Sequence, residues 1–243
     1  MIRKIGTITG IYRYPVKSMA GQRLNTAQLG WHGLEGDRRF AFRRIGVQTG
    51  FPWLSAGKLP KLIHYTPFNN EKEGMEQMPT HIRTPTSREL EIRSAELQQE
   101  IAEAYGSPVE MMQLDQGIFD EAKVSIISQA TIAAIEKESG VKLEVERFRP
   151  NLLVETLDGK AFEEDDWVGK TLLIGEGANA PALHIYMRDV RCMMINLHPT
   201  TGAVAATVLK AVVRMNENHA GAYANVLRTG TISTGNQFFL QES

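Results

Sequence analysis

The sequence predicts a mixed α/β protein that is mainly β, and three observations carry that expectation. Apolar and small polar residues alternate at a period close to two in short segments along the whole chain, the first at residues 5–14. Helical spacing is confined to three stretches, two of them framed by a capping serine and a terminating glycine. The final run, Gly230-Thr231-Ile232-Ser233-Thr234-Gly235-Asn236 continuing into Gln237-Phe238-Phe239-Leu240, reads as the closing hairpin of a barrel.

Taken in order, the strand at 5–14 meets Pro15, whose ring restricts both itself and Tyr14 and turns the chain at Lys17-Ser18. That pair is either solvated surface or an ammonium and a hydroxyl donating to one anion. A second strand is expected at 24–29, then three glycines within seven residues (Gly30, Gly33, Gly36) that mark a tight connection, and a strand from Arg38 onward. On that strand Arg38 would share a face with Phe40 and Phe42. It would either pair with Asp37 or Glu35 or face a bound anion. Residues 46–60 read as a loop and 62–66 as a strand. Residues 69–84 read as a hairpin or insertion, and 90–92 as a short strand.

Ser94 is placed to cap a helix with Leu97, Ile101 and Tyr105 at four-residue intervals and Gly106 as its stop, after which 109–114 returns to strand. The second half repeats the pattern: a strand at 124–128, Ser128 as N-cap of a helix ended by Gly140, and a buried strand after Arg149-Pro150-Asn151. Strands at 172–174 and 183–186, a helix at 205–214 and a strand at 223–227 precede the closing run.

Composition narrows the function classes. Hydrophobic residues at 42% and charged residues at 23% describe an ordinary folded protein, and a net charge of −1 offers no field to gather nucleic acid or an anionic membrane. With no apolar run of membrane-spanning length and no signal-peptide pattern, the expected location is the cytoplasm. Walker, dinucleotide-glycine, His-Glu-x-x-His and paired-cysteine patterns are missing, and the six histidines lack ligand spacing.

The single cysteine, Cys192, cannot form an internal disulfide. It is either a small buried hydrophobe or a thiolate favoured by the nearby Arg188 and Arg191. Lys17, Ser18, Arg38, Ser128, Arg149, Asn151 and Arg191 are donors placed where strands meet loops or helix starts. Together with a soft sulfur they suit a phosphate-bearing, metal-containing ligand.

At these residues the chain resembles the MOSC proteins, the molybdenum cofactor sulfurase C-terminal-like family. More narrowly it resembles those with an N-terminal β-barrel domain, the amidoxime reducing components and their bacterial relatives. Tyr14-Pro15-Val16-Lys17-Ser18, Gly33-Leu34-Glu35-Gly36-Asp37-Arg38-Arg39-Phe40, Arg147-Phe148-Arg149-Pro150-Asn151, and Arg191-Cys192 continuing to Pro199-Thr200-Thr201-Gly202 carry the resemblance, with the closing run. It departs at Gly57, where relatives commonly have arginine, and at Asn236, where they have aspartate.

The resemblance implies an N-terminal β-barrel-like domain at 1–115 and a MOSC β-barrel with flanking helices at 116–243, with some interleaving of the two. It also implies a molybdenum cofactor (molybdopterin) with Cys192 as catalytic residue and metal ligand. Lys17, Ser18, Arg38, Ser128, Arg149, Asn151, Arg188 and Arg191 would bind the cofactor. The implied activity is reduction of N-hydroxylated or N-oxide small molecules, with electrons from a separate ferredoxin-like, flavin or haem protein. A cofactor carrier or sulfur-handling protein, and a barrel that holds another phosphate-bearing ligand, are the other readings.

Overall fold

The computed structural model describes residues 2–48, 50–70 and 78–242, so part of the hairpin or insertion expected at 69–84 lies outside the described residues. The strands are β1 (Ile2–Arg13), β2 (Gln22–Leu24), β3 (Thr26–Gly30), β4 (Gly33–Leu34), β5 (Phe40–Arg44), β6 (Thr66–Phe68), β7 (His81–Arg83) and β8 (Glu89–Glu91). They continue with β9 (Val109–Gln113), β10 (Val124–Ser128), β11 (Leu152–Thr156), β12 (Thr171–Ile174), β13 (Ala182–Val190), β14 (His219–Arg228), β15 (Gly230–Ser233) and β16 (Gln237–Gln241). The helices are α1 (Ala95–Tyr105), α2 (Gln129–Ser139) and α3 (Thr207–Asn216).

The main sheet runs β11-β10-β14-β13-β12-β16-β1, and β1 pairs back onto β11, so these strands close into a barrel. Alternation fills its interior: Leu152 and Val154, Leu172 and Ile174, Leu183 and Ile185, and Phe238 and Leu240 all point inward around Trp167. On β1 the inward residues are Ile5, Ile8 and Ile11, three apart rather than two. Register shifts at Lys4/Gly6 and Ile8/Gly10 insert the extra residues and bend the long strand around the barrel. Gly6 permits that bend, because a Cβ there would lie 2.3 Å from the Glu155 carbonyl oxygen.

A second core holds Phe40, Phe42, Leu54, Leu62, Ile82, Leu97 and Ile101, between the β5-β9 pair, the β6-β7-β8 sheet and α1. A third packs α2 and α3 against Tyr14, Ile127 and Phe148. The barrel core draws on residues of β1, β3 and β4 as well as on residues 124–240, while the second core lies within residues 16–109.

The caps of α1 and α2 form as the sequence indicates. Ser94 and Ser128 accept from the backbone N–H three residues on, and Gly106 and Gly140 take left-handed φ of 84° and 67°. Four expectations change. The strand at 24–29 breaks at Asn25 into β2 and β3, which serve different sheets. The strand expected from Arg38 starts at Phe40, because Arg38 has φ 49° and turns its side chain away from the ladder. Residues 60–64 form a 3-10 turn with Pro60 in its first positions, and extended structure resumes at Thr66. The closing run is not a paired hairpin: β15 pairs with β3, and β16 joins β1 and β12. Asn236 makes that separation by accepting from the Ser233 N–H at 2.7 Å in the intervening turn. Among the described residues no helix is long and apolar enough to cross a membrane.

Candidate functional site

Ser125 on β10 and Tyr223 on β14 are cross-strand partners whose neighbours Val124, Ala222 and Ala224 face the barrel interior. Their own side chains therefore project outward. There they line an open cavity of about 290 Å³ with Lys17, Ser18, Arg38, Phe51, Ser55, Asp120, Arg147, Arg149, Asp189, Arg191 and Cys192. Five cations and two carboxylates are among those residues, so the wall carries excess positive charge.

Lys17 and Ser18 arrive from the turn after β1, where Ser18 takes φ 65°. Lys17 Nζ donates to the Phe119 carbonyl oxygen at 2.8 Å and lies 3.4 Å from Asp120 Oδ1. Arg38 spends its guanidinium on protein. Nε donates to Asp120 Oδ2 at 2.7 Å, Nη1 to Asp37 and to Asn151 Oδ1, and Nη2 to the Arg149 carbonyl oxygen at 3.0 Å. Asp37 is fully buried and also accepts from the Tyr14 N–H at 2.6 Å and from Asn151 Nδ2 at 3.1 Å. This network ties the end of β1 to the segment that leads into β11.

Arg191 is equally committed, with Nε to Ala220 O and Nη1 to Phe148 O, each at 2.7 Å, and Nη2 2.8 Å from Asp189 Oδ2. Ser125 Oγ donates to the same Asp189 oxygen at 2.8 Å. Arg149 differs. Among the described residues its guanidinium makes one hydrogen bond, from Nη1 to Met19 O at 2.6 Å, and stacks 4.1 Å from the Tyr14 ring centroid.

Burial pulls the Arg149 guanidinium down to about 10, with Arg38 adding to the effect against Tyr14 and Asp120. Burial also lowers Lys17, which Asp120 opposes and Arg38 reinforces. Two cations with donors to spare are thus held in surroundings that penalise their charge, and an anion between them would relieve that penalty. Cys192 is exposed at the start of a short 3-10 turn (Met193–Asn196), beside this wall. The residues present fit an anionic ligand that carries a soft metal.

Asp120 is the counter-charge. Burial would raise its carboxyl, but Arg38, Lys17 and the Glu121 N–H overcome it and hold it at about 2. An unfolded aspartate titrates near 3.9, about two units higher. Its contribution to stability is therefore complete above that value and is lost as pH falls from about 4 toward 2. Urea unfolding at pH 3 and pH 7 should show Asp120→Asn less stable than wild type at pH 7, with the gap narrowed at pH 3. An equal gap at both pH values contradicts the assignment.

The structure thus brings Lys17, Ser18, Arg38, Arg149, Arg191 and Cys192 to one cavity. Asn151 stands one layer behind, fully buried and holding Arg38 and the Ser125 N–H. Ser128 does not line the cavity, because its hydroxyl is spent on Thr131 at the start of α2. Arg188 does not line it either and pairs instead with Asp165 and Glu217. Sequence reasoning missed Asp120, Ser125, Arg147, Asp189 and Tyr223. Asp189 could not be placed by alternation, because the register shift between Ile185 and Met187 on β13 takes it out of the inward series of Leu183 and Ile185 and sets it, 1% exposed, against Ser125. At Gly57 a Cβ would stand 3.6 Å from Met193 Sδ, an ordinary contact, so the backbone itself does not demand glycine there.

A family model described as the MOSC domain matches residues 106–238, and one described as the MOSC N-terminal beta barrel domain matches residues 5–125. Mitochondrial amidoxime reducing component 2 of Rattus norvegicus is 24% identical over 249 residues, covering 84% of this chain and 70% of that protein. The protein of the same name from Homo sapiens is 26% identical over 243 residues with the same coverage. The crystal structure of the YUAD protein from Bacillus subtilis shares the fold, with a TM-score of 0.54 at 14% identity over 100% of both chains.

Proposed function

The chain belongs to the MOSC family, and from that membership we propose that it is a molybdenum-cofactor-binding oxidoreductase that reduces N-hydroxylated or N-oxide compounds. The observation that carries this reading is the meeting of exposed Cys192 with Lys17, Ser18 and Arg149 at one cavity, although these residues lie far apart in the chain. The naming of its distant relatives as amidoxime reducing components supports the reductase class.

Lys17, Ser18 and Arg149 would hold the anionic part of the cofactor, and the Cys192 thiolate would ligate its metal. Arg38 and Arg191, committed to protein acceptors, would act through charge, with Asn151 fixing Arg38. The chain would divide at 115/116, the first part lending Lys17, Ser18 and Arg38 and the second Arg149, Arg191 and Cys192. When bound, the cofactor supplies two-electron chemistry in which an N–O bond is cleaved, N–OH plus two electrons and two protons giving N–H and water. The chain orients the substrate, and the Ser125 and Tyr223 hydroxyls hold protons at the cavity wall. Electrons would come from a separate ferredoxin-like, flavin or haem protein.

The test is molybdenum content of protein from a molybdenum-competent host, followed by anaerobic reduction with an artificial donor and addition of benzamidoxime. Bound molybdenum that benzamidoxime reoxidises is the expected result. Bound molybdenum that it does not reoxidise would favour a carrier, and protein without molybdenum would overturn the proposal.

A further inference from the structure

The cavity changes character from wall to mouth. Its buried side is ionic, with Arg38, Asp189 and Arg191 each under a tenth exposed. Phe51 and Val190, which line the same cavity, are 53% and 49% exposed, and Met193, the residue after Cys192, is 46% exposed. Phe51 comes from one segment, and Val190 and Met193 from another, on either side of Cys192. Phe51 lies on the loop after β5, where Arg44 donates to its carbonyl oxygen and Lys17 Nζ stands 5.4 Å from its ring centroid. Val190 ends β13, and Met193 lies over the backbone at Gly57. Single exposed apolar side chains need no explanation, but several gathered beside one reactive group mark a contact surface.

We infer that this rim selects the substrate of the reaction proposed above, favouring N-hydroxylated compounds with a flat aromatic arm. The inference rests on that reading of the site. An aromatic arm laid on the rim covers apolar surface on both partners and can pack edge-on or offset against Phe51. A small polar N-hydroxyl compound gains none of this.

Calorimetric titration of the oxidised, cofactor-loaded protein without any electron donor measures binding free of turnover. Benzamidoxime should bind about tenfold more tightly than acetamidoxime. Phe51→Ser combined with Val190→Ser should bring the two affinities together. Phe51→Ser alone should lose part of the preference, and Phe51→Tyr should keep it. Equal affinities in the wild type, or a preference that survives the double variant with its fold intact by circular dichroism, would overturn the inference. Because binding is read without reduction, a preference that persists when benzamidoxime fails to reoxidise the reduced protein strikes the reductase reading alone. Reduction without preference strikes the rim alone.

Discussion

Replacing Arg38 by methionine is expected to lower the unfolding free energy by about 3–5 kcal/mol, the usual cost of leaving a buried charge without its partner. The guanidinium reaches Asp37, Asp120, Asn151 and the Arg149 carbonyl oxygen, so its removal takes from the fully buried Asp37 its direct ion-pair partner and leaves the Tyr14 N–H and Asn151 donating to it, with Arg13 nearby as a weaker counter-charge. Urea denaturation measures the loss. The double variant Asp37→Asn with Arg38→Met should be less destabilised than the sum of the two single variants, because the stranded charge is gone. Strict additivity would show that the pair does not act as a unit.

Cys192→Ser should separate function from stability. The side chain is exposed, so the unfolding free energy should stay within about 0.5 kcal/mol of wild type. A hydroxyl is a poor ligand for a soft metal, and even the loss of supporting contacts around metal ligands costs roughly 10–100-fold in affinity or activity. Molybdenum content should therefore fall at least about tenfold, and benzamidoxime reduction should drop to background. Elemental analysis and donor-oxidation kinetics read the two effects. Retained metal together with retained turnover would remove Cys192 from the proposed site.

What could be read in advance was whatever is decided within a few residues. Ser94 with Gly106, and Ser128 with Gly140, frame α1 and α2 because capping depends on backbone groups three or four positions away. The cluster of donors and a thiol was also legible, since Lys17-Ser18, Arg149 and Arg191-Cys192 each sit at an element boundary. Long-range pairing was hidden. Ile5, Ile8 and Ile11 repeat at three because bulges lengthen β1, and no local pattern shows which partner strand demands them. Gly230 to Leu240 has hairpin composition, yet its two strands serve different ladders. Ser128 and Arg188 carry donors near the right segments, and the sequence could not show that the structure sets them outside the cavity. Their competing partners, Thr131 for one and Asp165 with Glu217 for the other, are set by packing.

The position of β1 between β11 and β16 governs the order of assembly. Thr7 is matched to Glu155 on one side and to Gln237 on the other, separations that place this stave among the most non-local pairings a chain of this length can make. Closing such loops costs entropy before any contact rewards it, so the seam is expected to close late in folding. Lys17 hangs from the end of that stave and Arg149 from the approach to its neighbour, so the cleft brings these two cations together only once the seam is shut. Whatever anion it takes up is captured by a finished barrel rather than folded in as a template.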